Sequence, residues 1–166
     1  MKRRLISLAV TAMVMMAFVS VTLALPSPVS AGGATQIRGV GFWAAPGQCN
    51  DLEGQGADLV LRMTGDLQGC HYIFIESTVC APSGAFRLTG NEVFVSQANS
   101  NDSFRTKINF EGKYKDCNPA VEIFGRCQHP IIEGSGKGIF EGVTGRLDFK
   151  DNVEDASFPY RGHFQY

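Results

Sequence analysis

Residues Glu133–Tyr166, EGSGKGIFEGVTGRLDFKDNVEDASFPYRGHFQY, carry a face, a turn and an ending in a single run. Gly136, Gly138, Phe140 and Gly142 alternate with Lys137, Ile139 and Glu141, a period of two whose one face is nearly bare backbone apart from Phe140. Gly142-Val-Thr-Gly145 then turns the chain. Arg146–Lys150 returns with Leu147 and Phe149 on one side and Arg146, Asp148 and Lys150 on the other. After the polar loop Asp151–Ser157, the segment Phe158–Tyr166 sets Tyr160, Gly162, Phe164 and Tyr166 against Arg161, His163 and Gln165. The expectation is a β-meander with one apolar face, and the bare face is where something is expected to approach closely.

Upstream, the same grammar repeats. Gln36–Trp43, Asp58–Thr64, His71–Val79, Phe86–Ser96, Phe104–Lys115 and Ala120–Arg126 are short alternating runs set between Gly, Pro, Asn and Asp turns. Ala44–Gly56 reads as a long loop. With the two closing segments this gives about eight or nine strands and no long helical period. Open meanders leave aggregation-prone edges, so the expected fold is all-β: a small antiparallel up-and-down barrel of about eight strands. His71–Val79 and Glu92–Val95 are apolar on both faces, so one face needs a cover: a loop, the N-terminal segment or a neighbouring subunit.

The first residues belong to a different class. Met1-Lys-Arg-Arg4 is a basic start, Leu5–Leu25 is almost wholly apolar, and Pro26 and Pro28 precede a small-residue site ending at Ala31. This reads as a secretory signal peptide over 1–31, leaving 32–166 as one exported barrel domain without stable membrane insertion. In that domain 12 basic residues are set against 16 acidic ones, a formal net charge of −4. The basic residues are scattered singly, so nucleic acid is not an expected partner.

All five cysteines fall after the cleavage point, which in an oxidising compartment implies two disulfides and one spare thiol. Cys70 and Cys80 bracket one extended strand and sit roughly 30 Å apart at about 3.3 Å per residue, beyond disulfide reach. Cys117 and Cys127 bracket another. In an up-down meander Cys80 and Cys117 share one end and Cys70 and Cys127 the other, so those two bridges are expected, with Cys49 left over.

The motif Gly134-Ser-Gly-Lys-Gly-Ile-Phe-Glu-Gly-Val-Thr-Gly145 resembles the glycine-rich turn of the allene oxide cyclase and dirigent barrel superfamily. Gly125–Ile131, Thr64–Cys70 and Tyr160–His163 are similar to stretches of exported bacterial proteins with an allene oxide cyclase barrel-like domain. The resemblance implies an eight-stranded barrel with a largely apolar interior and, from the plant relatives, a homo-oligomeric trimer. The plant enzymes cyclise an unstable fatty-acid epoxide in an apolar pocket, but none of their catalytic positions can be placed on this chain.

Candidate chemistry comes from strand faces. Tyr72, Phe74, Glu76 and Thr78 share one face, and Glu122, Phe124 and Arg126 share another. If these line the interior, Glu76 or Glu122 is a candidate acid or base with a raised pKa. Tyr72, Phe74, Phe124 and Arg126 become candidate ligand contacts, Arg126 holding a carboxylate bidentately. The plainer reading is that Glu122 and Arg126 face water or pair across the sheet. Cys127, His129 and Cys117 lack the spacing of a zinc site, so no metal and no cofactor is called for. His163 is expected to face outward. Three functions follow: binding of a small apolar molecule in the interior, an isomerase or cyclase like the plant enzymes, or an interaction protein that associates through its doubly apolar strands. The first is favoured, against the alternative that Phe42, Phe94, Phe110, Phe140, Phe149 and Phe164 simply fill the barrel.

Overall fold

The computed structural model describes residues 33–166; the signal-peptide segment and its boundary lie outside the described residues. Eight antiparallel strands form a closed barrel in chain order. They are β1 (Thr35–Trp43), β2 (Leu59–Gly65), β3 (Gly69–Cys80), β4 (Ala85–Ser96), β5 (Ser103–Tyr114), β6 (Glu122–Pro130), β7 (Thr144–Lys150) and β8 (Ser157–Gln165). The last strand pairs with the first, Ile37 opposite Gly162 and Gly39 opposite Tyr160, so no sheet edge is left open. Gly39 is required there: a side chain at this position would meet the Tyr160 hydroxyl and the Thr64 carbonyl. That hydroxyl donates to the Thr64 carbonyl at 2.9 Å and accepts from the Leu67 amide at 2.9 Å.

The strands' alternation assigns the faces. Leu61 and Met63 of β2, Ile73 of β3, Phe94 of β4, Phe104 and Ile108 of β5, Leu147 and Phe149 of β7 and Tyr160 and Phe164 of β8 pack into one interior core. Each strand reaches both ends, and the ends differ. At one end, Phe94, Phe104, Phe140 and Phe164 are all buried, with ring centroids between 5.0 and 6.1 Å apart. We refer to this as the plugged end. The other end, where β3 meets β4 and β5 meets β6, is the mouth.

The plug is made by the stretch that was expected to be a strand. Residues 131–143 do not join the sheet over their length; they cross the plugged end, with a 3-10 turn at Gly138–Phe140 that drops Phe140 and Val143 inward. Gly138 and Gly142 have φ of +61° and +78°, backbone that an extended strand cannot hold. The period-2 spacing of those glycines is thus a series of turns, and regular β7 pairing begins only at Thr144.

The doubly apolar strands have their cover. The loop between β1 and β2 lies on the outside of β3 and β4, over Cys70, Tyr72, Val93 and Val95. It is fixed by a Cys49–Cys70 disulfide, by Tyr72 donating to Asp51 Oδ2 at 2.7 Å and by Gly54 lying flat against the Tyr72 ring. The second disulfide, Cys80–Cys117, forms as expected and ties the end of β3 to the β5–β6 connection at the mouth. The expected Cys70–Cys127 bridge does not form. Cys70 points outward under the loop, whereas Cys127 is a buried free thiol pointing inward, so the barrel wall lies between them. Cys49, expected to be left over, is the true partner of Cys70. Two disulfides are what a chain maturing in an oxidising compartment carries. Among the described residues, no helix is long and apolar enough to cross a membrane.

Candidate functional site

The middle of the barrel holds a polar cluster in an otherwise apolar interior. His71 on β3, Glu92 on β4, Thr106 on β5 and His129 on β6 point inward and are each 1–2% exposed. They arrive there by strand parity: His71 is in phase with Ile73, Glu92 with Phe94, and His129 with Cys127. Glu92 Oε2 accepts from the Thr106 hydroxyl at 2.5 Å and lies 2.6 Å from His129 Nδ1. His71 Nε2 is 3.3 Å from the same oxygen. Burial opposes ionisation of Glu92, yet the imidazoles of His129 and His71 hold its carboxyl well below the usual carboxylate range.

The other side of His129 faces sulfur, with Nε2 2.7 Å from Cys127 Sγ. Burial, and secondarily the Glu92 charge, pushes the Cys127 thiol well up from its ordinary value, so it stays protonated. Phe149 closes the cluster, its ring 4.5 Å from that of His129 and 6.1 Å from that of His71. His71 Nδ1 and Glu92 Oε1 are buried without a hydrogen-bond partner, and His71 Nε2 has only its 3.3 Å approach to Glu92 Oε2. Unpaired buried polar atoms each cost about 1–3 kcal/mol, so the arrangement is held at an expense that packing alone does not require.

The mouth is a second, more open place. Inward-facing Leu59, Ile75, Phe86, Phe110 and Phe158 are only partly buried, and Trp43 packs edge-on against Phe158 at 4.8 Å while remaining 48% exposed. Glu122 Oε1 and Asp151 Oδ2 converge over the bare Cα of Gly125, beside the Phe110 ring. Burial, then the adjoining Glu122, pushes the Asp151 carboxyl up to about 7. Burial and these two acids push the Tyr114 hydroxyl up to about 12.

Most residues picked out by sequence sit elsewhere. Tyr72 and Phe74 belong to the outer face of β3, under or beside the loop. Glu76 is exposed, bonded to Asn91 and 4.0 Å from Lys107. A register shift between Ile75 and Ser77 breaks the face that Tyr72 and Thr78 were expected to share. Phe124 is 51% exposed, and Arg126 pairs on the outside with Glu111 at 3.1 Å. Another shift, between Lys113 and Tyr114, sets Glu122 opposite Tyr114 and Phe124 opposite Lys113. Glu122 is thereby parted from the outward face of Phe124 and Arg126 and turned into the mouth. Phe94, Phe110, Phe140, Phe149 and Phe164 do fill the interior, but Phe42 is 44% exposed. His163 lies on the outward side of β8, between inward Gly162 and Phe164.

Glu92 was missed altogether, and His71 and His129 were not connected. The available signal was phase: each is a polar residue on the same parity as core neighbours within an apolar strand.

No protein-family model matches the chain, and no curated protein or solved structure is significantly similar to it.

Proposed function

We propose that this is an exported, disulfide-braced barrel that takes up a small, mostly apolar molecule at its mouth. The observation that carries the reading is the unequal treatment of the two ends. Of the ten large apolar side chains exposed among the described residues, seven lie on segments at the mouth end: Trp43, Val121, Ile123 and Val153, with Phe42, Val79 and Phe124 on the outer wall beside them. Inside this rim stand the partly buried Ile75, Phe86, Phe110 and Phe158. Apolar surface gathered at one opening is the character of a ligand or contact site. The resemblance to exported allene oxide cyclase barrel-like proteins belongs to the same proposal, as does the homo-oligomer it implies.

The sole tryptophan is the reporter. Titrating the mature protein with a long-chain fatty acid is expected to shift Trp43 emission saturably to shorter wavelength, and Phe86→Ser to weaken the binding about tenfold. Unchanged emission across the titration contradicts the reading. Native mass spectrometry of protein from its own source reports the bound molecule and the subunit number together.

A second reading, an isomerase or cyclase, is favoured by the Glu122–Asp151 pair. A carboxyl pushed up to about 7 inside an apolar mouth can give or take a proton near neutral pH. If the molecule bound at the mouth is turned over, Asp151→Asn is expected to lower kcat by 100-fold or more, roughly the scale of acid–base contributions, with KM little changed. Full retention of turnover removes this reading and leaves the binding one intact.

A further inference from the structure

We infer that His71, Glu92 and His129 form a site for one divalent transition-metal ion of the zinc class. This inference is independent of the mouth and of any apolar ligand. The three donor atoms come from three separate strands, β3, β4 and β6, rather than one flexible segment, and all lie within 4.8 Å of one another. Tetrahedral donors about 2.0–2.1 Å from zinc stand roughly 3.3 Å apart. His71 Nε2 and Glu92 Oε2 are already 3.3 Å apart. His129 Nδ1, at 2.6 Å from that oxygen, needs to move back by about 0.7 Å to reach that spacing.

The surroundings are those of a held site. Thr106 donates to Glu92, which fixes the carboxylate. His129 presents Nδ1 to Glu92 while its Nε2 is met by Cys127 Sγ, so the ring is oriented from behind by a partner that cannot itself reach the same ion. For Nδ1 to take a metal, Nε2 keeps its proton and donates it to the Cys127 sulfur, the part an outer partner plays in orienting a metal-binding imidazole. Independently, His71 Nδ1 and Glu92 Oε1 have no hydrogen-bond partner, and His71 Nε2 has only its 3.3 Å approach to Glu92 Oε2. A cation supplies what these lone pairs lack. Two imidazoles and one carboxylate favour zinc, copper or iron over calcium and magnesium, which prefer all-oxygen sites.

The test uses residues 32–166 with both disulfides intact, stripped by chelator and titrated separately with Zn2+ and Co2+. The expected result is one equivalent bound with a Kd at or below about 1 μM, a visible Co2+ spectrum of low coordination number, and a raised Tm. His71→Gln and Glu92→Gln should each weaken binding by more than about 100-fold, and Cys127→Ser by about 10-fold, with His163→Gln neutral. Should a core variant not fold, the wild type decides alone: Zn2+ should perturb the imidazole NMR signals of His71 and His129 and leave His163 unmoved. A folded wild type that takes up neither ion at millimolar concentration overturns the inference, leaving an ion-paired cluster without metal. Binding that perturbs only His163 overturns it equally.

Discussion

The plugged end and the mouth are built from the same strands and similar numbers of aromatic rings, yet one is sealed and the other half open. At the plug, the chain between β6 and β7 crosses the opening and inserts Phe140 and Val143, so Phe94, Phe104 and Phe164 find partners on every side. At the mouth the β1–β2 loop folds over the outer wall, a disulfide joins the end of β3 to the β5–β6 connection, and Phe86, Phe110 and Phe158 keep a face toward solvent. The difference lies in the connections rather than in strand composition. A closed barrel with one stoppered end needs no second core there.

Truncation should separate the two ends most sharply. Phe104→Ala removes a fully buried ring and is expected to cost about 3–5 kcal/mol, whereas Phe86→Ala, partly exposed in the native state, should cost ~1–2 kcal/mol. Equal losses in denaturant titrations would erase the distinction. Next in size, replacing both Cys80 and Cys117 by alanine opens a cross-link between residues 37 apart. Chain-entropy arguments put this at about 3–4 kcal/mol. Faster amide exchange should follow near the mouth more than near Phe104 and Phe164.

A smaller effect is tied to pH. The folded-state pKa of Asp151, about 7, lies above the ordinary carboxylate value, so its proton stabilises the fold fully below about pH 4. That contribution is lost as pH rises through 7. After allowance for solvent screening of this incompletely buried group, it is worth roughly 1–2 kcal/mol. Denaturation midpoints of the wild type should fall between pH 4 and 8, and Asp151→Asn should flatten that part of the decline. An unaltered profile in the variant would remove the carboxyl pair from the picture. Smallest is the loop cover: Tyr72→Phe deletes the bond to Asp51 and should cost about 1 kcal/mol, with no change at the mouth.

The barrel was legible because alternation such as Leu59, Leu61 and Met63 survives in the sequence and fixes faces wherever one side is wet. It failed where that condition failed. Strand β3 is apolar on both sides because the β1–β2 loop covers Tyr72, and with two buried faces the inward one cannot be picked by hydrophobicity. The Cys70–Cys127 expectation rested on strand ends alone; pairing also depends on which side of the wall each sulfur occupies. Glu122 was placed on one face with Phe124 and Arg126, since the bulge beside Tyr114 that parts them leaves no mark in composition. In Glu133–Gly142 the glycine spacing imitates a strand, and only the positive φ at Gly138 and Gly142 reveals turns. The central cluster was hidden for a different reason: its members are 21 and 37 residues apart in the chain and meet only once the barrel closes.

The most direct test of an apolar molecule at the mouth is paramagnetic broadening of the protein's NMR signals by a spin-labelled fatty acid. Broadening is expected to centre on the Trp43 indole and on Ile75, Phe86, Phe110 and Phe158, and to spare Phe104, Phe140 and Phe164. Broadening that is uniform over the barrel, or centred on the plugged end, would contradict the account.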